Sequence, residues 1–425
     1  MSTEPSPIEP TPTAPAAHRT DWHAPRWLQA VLLASLGTLG PFSIDTYLPA
    51  FAGIARSLGA TPVEMQQTLS AYLLGFALMN LFHGALSDAL GRRPVVLAGV
   101  AMFTLTSLGC ALTDHIGWLI ALRALQGMST GAGMVVSRAV IRDVYPPDQA
   151  QKMMSQVTIF FGIAPAIAPL VGGWLFVHLD WRAVFFFLTL VGCAIWLGVW
   201  RSLPETLAPD RRQPLSVRSL WQGYRELGSD RRFWLLALAS GVPFNGMFLY
   251  VLGAPSFLGE LLGLQPAQFF WFFVSTIVGI MVGATVSGRM AGRIEPRRQI
   301  RMGFLIMLLA SLLNIAGTLL LPLHPLWAFP PILLFSLGWA VLVPVVTLMV
   351  LDLSPERRGM ASSLQATVGS LANALVAGVV TPLVMHSALA LSLTSAGLMA
   401  IGLLAWVWHR RLLRRDPRPS THPAA

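Results

Sequence analysis

Three ionisable side chains, Asp45, His83 and Arg123, lie inside apolar runs that are long enough to cross a membrane. A charged group is costly in hydrocarbon, so such residues are candidates for function. Asp45 is the candidate proton carrier, because no other acid lies at its depth in either half of the chain. His83 is interpreted as a packed residue. An intramembrane enzyme would need a nucleophile–base set or metal ligands, and these residues form neither. We therefore expect no catalytic residues, no metal site and no cofactor.

Asp45 and Arg123 are expected at the same depth. Asp45 lies about seven residues before the outer end of its run, and Arg123 about seven residues after the outer start of another, which places both roughly 10 Å below the outer surface. Two interpretations stay open. In the first, Asp45 and Arg123 stay paired in every conformation and form a structural ion pair. Proton coupling requires Arg123 to leave, or substrate to intervene, in one conformation, because a neighbouring guanidinium disfavours protonation of a carboxylate.

Residues 84–94 form a tight connection between two apolar runs, with Gly84, Asp88, Gly91 and Arg92 as its characteristic positions. Asp88 lies at the end of one run, on the same side of the membrane as the start of the eleventh run. A carboxylate there can face the positive end of a helix dipole, which is worth roughly 0.3–1 kcal/mol. We therefore predict that this loop gates a two-state transition. The alternative is a turn that only sets topology.

Aromatic and polar residues near prolines are candidates for a substrate pocket, since prolines disrupt the backbone ladder and aromatic rings can line amphiphilic pockets. The pocket candidates are Tyr47, Phe244, Asn245, Phe248 and Tyr250. Packing or contact with lipid is the alternative role for each aromatic ring. In the fifth run, Pro165, Pro169, Gly172 and Gly173 are interpreted as hinge and helix-packing positions, because small residues let helices approach closely in lipid.

Composition indicates an α-helical membrane protein. Hydrophobic residues make up 54% of the chain and charged residues 11%. The formal net charge of +10 is not a nucleic-acid footprint, because only Arg56 and Arg182 of the 29 basic residues fall in loops assigned to the outside. This bias places both termini in the cytoplasm. Cys110 and Cys193 fall within apolar runs and form no disulfide framework.

Twelve spans of membrane-crossing length are predicted, the fourth over 116–137 and the fifth over 156–178. They predict an all-α membrane protein with two six-helix bundles. The expected segments are a disordered cytoplasmic tail at 1–25, bundles at 26–203 and 233–409, a cytoplasmic linker at 204–232 and a basic tail at 410–425. A weak repeat supports the division, because residues 283–293 resemble the connection at 84–94, with Ser287 in the place of Asp88.

Several segments, in this order, resemble the bicyclomycin-resistance (Bcr/CflA) drug:proton antiporters of the major facilitator superfamily. They include SIDTYLPA at 43–50, GALSDALGRRP at 84–94, RALQG at 123–127, RDVYP at 142–146, IAPLVGGW at 167–174, ETLAPDRRQP at 205–214 and GMASS at 359–363. The resemblance covers nearly the whole chain apart from the tails. It implies that Asp45 and Arg123 take part in substrate and proton binding, and that Asp88 and Arg92 belong to the gating loop.

The expected function is export of small amphiphilic compounds, of the bicyclomycin or chloramphenicol type or related metabolites, in exchange for protons across a bacterial inner membrane. No Gly-x-x-x-x-Gly-Lys-Ser/Thr motif is present, so an ion gradient is the expected energy source. The expected partners are the substrate, protons and the lipid bilayer, with the chain as a monomer. An importer or metabolite exchanger on the same fold is the alternative.

Overall fold

A computed structural model of the protein describes residues 22–265 and 268–415, and this part contains helices and no strand. The helices are α1 (Arg26–Tyr47), α2 (Phe51–Leu58), α3 (Pro62–Leu90), α4 (Arg92–Leu112), α5 (Ile116–Val144), α6 (Pro147–His178), α7 (Trp181–Ser202), α8 (Val217–Ser229), α9 (Arg231–Leu252), α10 (Phe270–Met290), α11 (Pro296–Leu320), α12 (Pro325–Asp352), α13 (Arg358–Leu375), α14 (Thr381–Val384) and α15 (Ala388–Arg415). Within the predicted tails, residues 1–21 and 416–425 lie outside the described residues, and residues 410–415 continue α15.

The prediction of twelve spans is confirmed. In the part of the chain that the structure describes, eleven helical runs are long and apolar enough to cross a bilayer, and α13 and α14 together form one of them. The run that contains α1 and α2 bends by 56° at residue 41 and supplies the twelfth. Helices suit these sequences because hydrocarbon offers no hydrogen-bond partner, so each backbone N–H must find a carbonyl within its own segment.

The helices α5 and α6 extend well beyond the spans that the apolar pattern predicts. α5 continues to Val144, beyond the predicted end at residue 137, and α6 begins at Pro147, before the predicted start at residue 156. Hydropathy detects only the part of a helix that lies in hydrocarbon. Pro146 and Pro147 set the actual boundary, because proline lacks a backbone N–H and disfavours helical geometry in the preceding residue. Arg138 consequently lies inside α5.

The two halves of the chain pack in the same pattern. In the first half α3 and α4 pack on α5, α4 packs on α7, and α1 packs on α6. In the second half α10 and α11 pack on α12, α11 packs on α15, and α9 packs on α13. The most extensive contacts between the halves are the equivalent pair α3 with α13 and α10 with α6. The weak sequence repeat therefore reflects two six-helix bundles that are related by internal symmetry.

The molecule is closed at one end, which we call the linker end because residues of the segment 203–230 lie there, with Glu205 against Gly91 and Glu226 bonded to Arg357 at 2.9 Å. Among the described residues, all hydrogen bonds between the halves lie within roughly 15 Å of this end. They include an ion pair of 2.5 Å between Arg142 on α5 and Asp352 on α12. The structure thus shows a conformation in which the halves are joined at the linker end.

Candidate functional site

Asp88 is buried in the last turn of α3. Its carboxylate accepts hydrogen bonds from the backbone N–H of Gly359 at 3.1 Å and of Met360 at 2.8 Å, both in the first turn of α13. The N–H groups at the start of a helix have no partner within the helix and carry partial positive charge. Asp88 of the first half therefore caps a helix of the second half. This is the neighbour that the sequence predicts for Asp88, and the gating role stays a prediction.

Arg92 joins Asp88 to a second carboxylate. Its buried guanidinium donates from Nη1 to Asp88 at 2.5 Å and from Nε to Asp143 at 3.1 Å. The other oxygen of Asp143 accepts from Nη1 of Arg358, which begins α13, at 2.7 Å. Opposite charges thus alternate from Arg358 through Asp143 and Arg92 to Asp88. Because the chain of charges begins and ends at α13, it joins the two halves.

Two glycines make this loop possible. A Cβ atom on Gly84 would lie 1.8 Å from the carbonyl oxygen of Gly359, so α3 and α13 cross at backbone distance. Gly91 has φ +104°, which favours glycine, and a Cβ there would lie 2.3 Å from the Glu205 carboxylate. Glu205 in turn accepts from the backbone N–H of Arg92 at 2.9 Å and so caps the start of α4.

The second copy of the loop is uncharged at the corresponding position. Ser287 is buried at the end of α10, and its hydroxyl accepts from Nε2 of Gln299 at 2.7 Å. Gln151 on α6 crosses between the halves, with its Nε2 donating to the Ser287 carbonyl at 2.9 Å and to Gln299 Oε1 at 2.8 Å. The contact of α6 with α10 therefore uses neutral amides where the contact of α3 with α13 uses ions.

Arg123 is fully buried between two tyrosine rings. Its guanidinium carbon lies 4.5 Å from the centroid of Tyr47 and 4.3 Å from that of Tyr72, and its Nη1 donates to Gln126 at 2.5 Å. Asp45 is half-buried and forms no hydrogen bond or ion pair with any residue that the structure describes. Asp45 and Arg123 are therefore not paired in this conformation. The rings supply a favourable cation–π environment in the place of a carboxylate.

A cavity of about 180 Å³ lies between the two halves. Its polar lining comes from α5, α6, α9, α12 and α13, and comprises Ser137, Arg138, Thr158, Ser240, Thr347, Gln365, Ser370 and Asn373. Phe244 and Trp339 supply an aromatic wall, with ring centroids 5.0 Å apart. Phe248 stacks on Phe244 at 5.2 Å. Of the predicted pocket residues, Phe244 lines this cavity directly.

The other pocket candidates lie elsewhere. Tyr47 is buried against Arg123, and its hydroxyl is hydrogen-bonded to Thr68 at 2.6 Å. Asn245 is buried within the second half, where its Nδ2 donates to the Gly241 carbonyl at 3.2 Å. Tyr250 is also buried there and accepts from Nδ2 of Asn314 at 2.7 Å.

The predicted hinge and packing residues of the fifth span lie on α6. Pro165 and Pro169 lie within this helix, and the Pro165 side chain is outside the described residues. A Cβ on Gly172 would lie 2.0 Å from the Thr46 carbonyl oxygen, so this glycine packs against α1 of the same half. Gly173 has more room, because its Cβ would lie 3.9 Å from Pro49. Helix packing is thus visible at Gly172, and the hinge stays a prediction.

Sequence analysis missed Arg138, Trp339 and Gln365, which line the cavity. Arg138 was missed because the predicted span ended one residue before it. The signal was present, since Pro146 marks the end of the helix and leaves Arg138 about two turns inside it. Among the described residues, no group of three His, Cys, Asp or Glu side chains is placed to hold a metal ion.

Two six-helix halves with a cavity between them are the architecture of a membrane transporter. The chain belongs to the Major Facilitator Superfamily, whose sequence pattern matches residues 33–377, and within it to the bicyclomycin-resistance (Bcr/CflA) family. Members of this superfamily are transporters of small molecules and not enzymes.

Curated relatives match over most of their length. The chain is 30% identical over 381 residues to a bicyclomycin resistance protein homolog of Haemophilus influenzae, covering 88% of this chain and 94% of that protein. It is 29% identical over 385 residues to Multidrug resistance protein D of Escherichia coli, covering 89% and 94%. A solved structure of the proton:xylose symporter XylE superposes with a TM-score of 0.71 at 14% identity, covering 91% of this chain and 95% of that one. This likeness concerns the fold alone.

Proposed function

We propose that the protein is a proton-coupled exporter of small amphiphilic compounds, of the bicyclomycin or chloramphenicol type or related metabolites. The observation that carries the proposal is the cavity between the halves, which combines an aromatic wall at Phe244 and Trp339 with scattered polar groups. Such a lining suits compounds with an apolar body and a few polar groups. The names of the curated relatives, which refer to bicyclomycin and multidrug resistance, agree with this substrate class.

Asp45 is the proposed proton carrier. In this conformation it has no partner among the described residues, so no counter-charge must leave before the carboxylate takes a proton. Tyr72 contacts Arg123, whose guanidinium carbon lies 4.3 Å from the ring centroid, and its hydroxyl is hydrogen-bonded at 2.8 Å to Ser43, two residues before Asp45 on α1. A shift of α1 relative to α5 could therefore bring the acid and the guanidinium together in the other conformation. Alternation between these states would couple proton release to reorientation of the halves.

The membrane orientation is proposed from the distribution of charge. Of the 29 basic residues, Arg56 and Arg182 lie at the end opposite the linker, while arginines such as Arg92, Arg142 and Arg358 crowd the linker end. Because cytoplasmic loops carry the excess of Lys and Arg, the linker end faces the cytoplasm of a bacterial inner membrane. The described conformation is then closed toward the cytoplasm. Residues 26–203 and 233–409 are the two moving units of a monomer.

The test is transport of radiolabelled chloramphenicol in proteoliposomes with an imposed pH gradient. We expect the wild-type protein to accumulate the drug against its gradient, and Asp45→Asn to abolish this while inserting normally into the membrane. A wild-type protein that moves the drug at the same rate with and without a pH gradient would contradict proton coupling. Uptake of nutrients by intact cells without any efflux of drugs would instead support an importer on the same fold.

A further inference from the structure

Arg138 is a guanidinium that faces the cavity without a partner. It is half-buried on α5, about six residues or 9 Å from the linker end of that helix. It forms no hydrogen bond and no ion pair with any residue of the described ranges 22–265 and 268–415. Isolated charges within a membrane protein are costly, and those that occur are paired or face a functional cavity.

Three other arginines at this end of the molecule pair with carboxylates. Arg92 contacts Asp88 and Asp143, Arg142 contacts Asp352, and Arg358 contacts Asp143. Among the described residues, the cavity lining contains no Asp or Glu that could play this part for Arg138. The positive charge of Arg138 is therefore not balanced by an acidic residue of the described cavity lining. A ligand of opposite charge would supply the missing hydrogen-bond acceptors and the counter-charge.

A buried acceptor without a partner lies beside the cavity. Gln365 on α13 donates from Nε2 to the Ser240 hydroxyl at 3.1 Å, whereas its buried Oε1 has no partner among the described residues. Trp339 and Phe244 form the aromatic wall of the same space. A cavity of roughly 150 Å³ can hold benzene, so about 180 Å³ suits one aromatic ring with a short polar side chain.

We propose that Arg138 forms an anion subsite, and that the cavity accepts small aromatic compounds that carry a carboxylate or a similar acidic group. The ring lies against Trp339 and Phe244, and the acidic group receives hydrogen bonds from Arg138. Guanidinium groups bind carboxylates through two parallel hydrogen bonds. This inference rests on the proposed function only for the direction of transport, since binding itself requires no proton gradient.

The experiment is equilibrium binding to the purified protein in nanodiscs, at constant pH and without any gradient. The probes are phenylacetate, its neutral analogue phenylacetamide, and acetate, which has the charge without the ring. We expect the wild-type protein to bind phenylacetate at least about tenfold more tightly than phenylacetamide. Arg138→Met should weaken phenylacetate binding by about 10- to 100-fold and leave phenylacetamide unchanged, because a hydrogen-bonded charge is lost.

Three further variants make the test specific. Arg138→Lys keeps the charge without the planar fork and should retain part of the preference for the anion. Gln365→Glu leaves Arg138 in place and supplies an internal carboxylate, so it should also weaken phenylacetate binding. Arg301→Gln removes one exposed charge on α11, away from the cavity, and should change nothing.

Equal binding of phenylacetate and phenylacetamide by the wild-type protein would overturn the proposal, and so would unchanged phenylacetate binding in Arg138→Met. Acetate that competes as well as phenylacetate would also contradict it, because the aromatic wall would then play no part. If anion binding depends on Arg138 but a pH gradient drives no export, proton-coupled export fails and the anion subsite stands.

Discussion

Replacing Asp88 by Asn should shift the protein away from the conformation that is closed at the linker end. In that conformation the carboxylate accepts two hydrogen bonds from the backbone of α13, at 3.1 and 2.8 Å, across the boundary between the halves. An amide of the same size retains one acceptor oxygen, and its NH₂ group faces a backbone N–H. The bond to Arg92 lies within the first half, so it is available in both conformations and contributes little to the difference.

The magnitude follows from the bonds that cross the boundary. A hydrogen bond to a charged group contributes roughly 1.5–3 kcal/mol and a neutral one roughly 0.5–1.5 kcal/mol. Losing one charged hydrogen bond and weakening the other therefore destabilises the closed conformation by about 3 kcal/mol relative to the open one. Loss of the interaction with the helix dipole adds a few tenths of a kcal/mol. Since 1.4 kcal/mol corresponds to a factor of ten, the ratio of open to closed conformations should rise by about 100-fold. A protein that is open for about 1% of the time would become open for about half of it.

Cysteine labelling can measure this shift. Ser155 on α6 is buried beside Gly288 of α10, with a Cβ on that glycine only 3.5 Å from the Ser155 Cβ, so a cysteine at 155 reacts when the halves separate at the linker end. Cys110 and Cys193 are first changed to Ser. In nanodiscs, Asp88→Asn should then raise the rate of maleimide labelling at residue 155 by one to two orders of magnitude. The labelling rate is expected to follow the open fraction, which rises from about 1% to about half.

A matched control is Glu64→Gln. Glu64 also interacts with a helix N-terminus, but it does so in the capping box of its own helix α3, where it accepts from the Thr61 backbone N–H at 2.8 Å. Its loss should leave labelling at residue 155 unchanged. If Asp88→Asn labels at the wild-type rate, the carboxylate does not bias the conformations, and the loop at 84–94 sets topology only.

Four more outcomes are expected. Asp45→Asn should abolish transport driven by a pH gradient, and undiminished pH-dependent transport would remove Asp45 from the mechanism. Arg123→Lys should give partial transport, because lysine keeps the charge but not the planar stacking on two tyrosines; simple additivity with Asp45→Asn would mean that the two residues never meet. Gly84→Val should raise labelling at Ser155→Cys at least as much as Asp88→Asn, because a Cβ at residue 84 enters the facing backbone; slow labelling would show that the crossing can widen without opening. Glu205→Gln should lower stability by about 1 kcal/mol through loss of a helix cap, seen as an earlier thermal transition, and an unchanged transition would contradict the capping role.

Sequence could predict those parts of the fold that depend on local pattern. Runs of apolar residues gave the twelve spans, and the repeated loop gave the division into halves. The neighbour of Asp88 was also predictable, since helix topology alone brings the end of α3 to the start of α13. In these cases the order of apolar runs along the chain is enough, because a long apolar run in a bilayer folds as a membrane-spanning helix.

The partners of buried charges could not be predicted in the same way. Equal depth allowed Asp45 to meet Arg123, but depth does not fix the rotation of a helix, and Arg123 is flanked by Tyr47 and Tyr72. Arg138 looked like one more arginine at a cytoplasmic helix end. Only the packing of the halves shows that Arg138 faces a cavity, whereas Arg142, one turn further along α5, pairs with Asp352.

The two contacts that close the linker end are related by symmetry but differ in chemistry. At α3 and α13 the contact contains Asp88, Arg92, Asp143 and Arg358, whereas at α6 and α10 it contains neutral amide and hydroxyl groups around Ser287. Hydrogen bonds that involve charged groups are roughly twice as strong as neutral ones, and their strength depends on charge balance. The ionic contacts of α13 with α3 and α5, together with the Arg142–Asp352 pair between α5 and α12, therefore contribute more to closure than the neutral contact of α6 with α10. A protonation or ligand-binding event that moves α3 or α5 then has far more effect on the closed conformation than one that moves α6. Arg138 lies on α5, the helix that also carries Asp143 of this ionic contact.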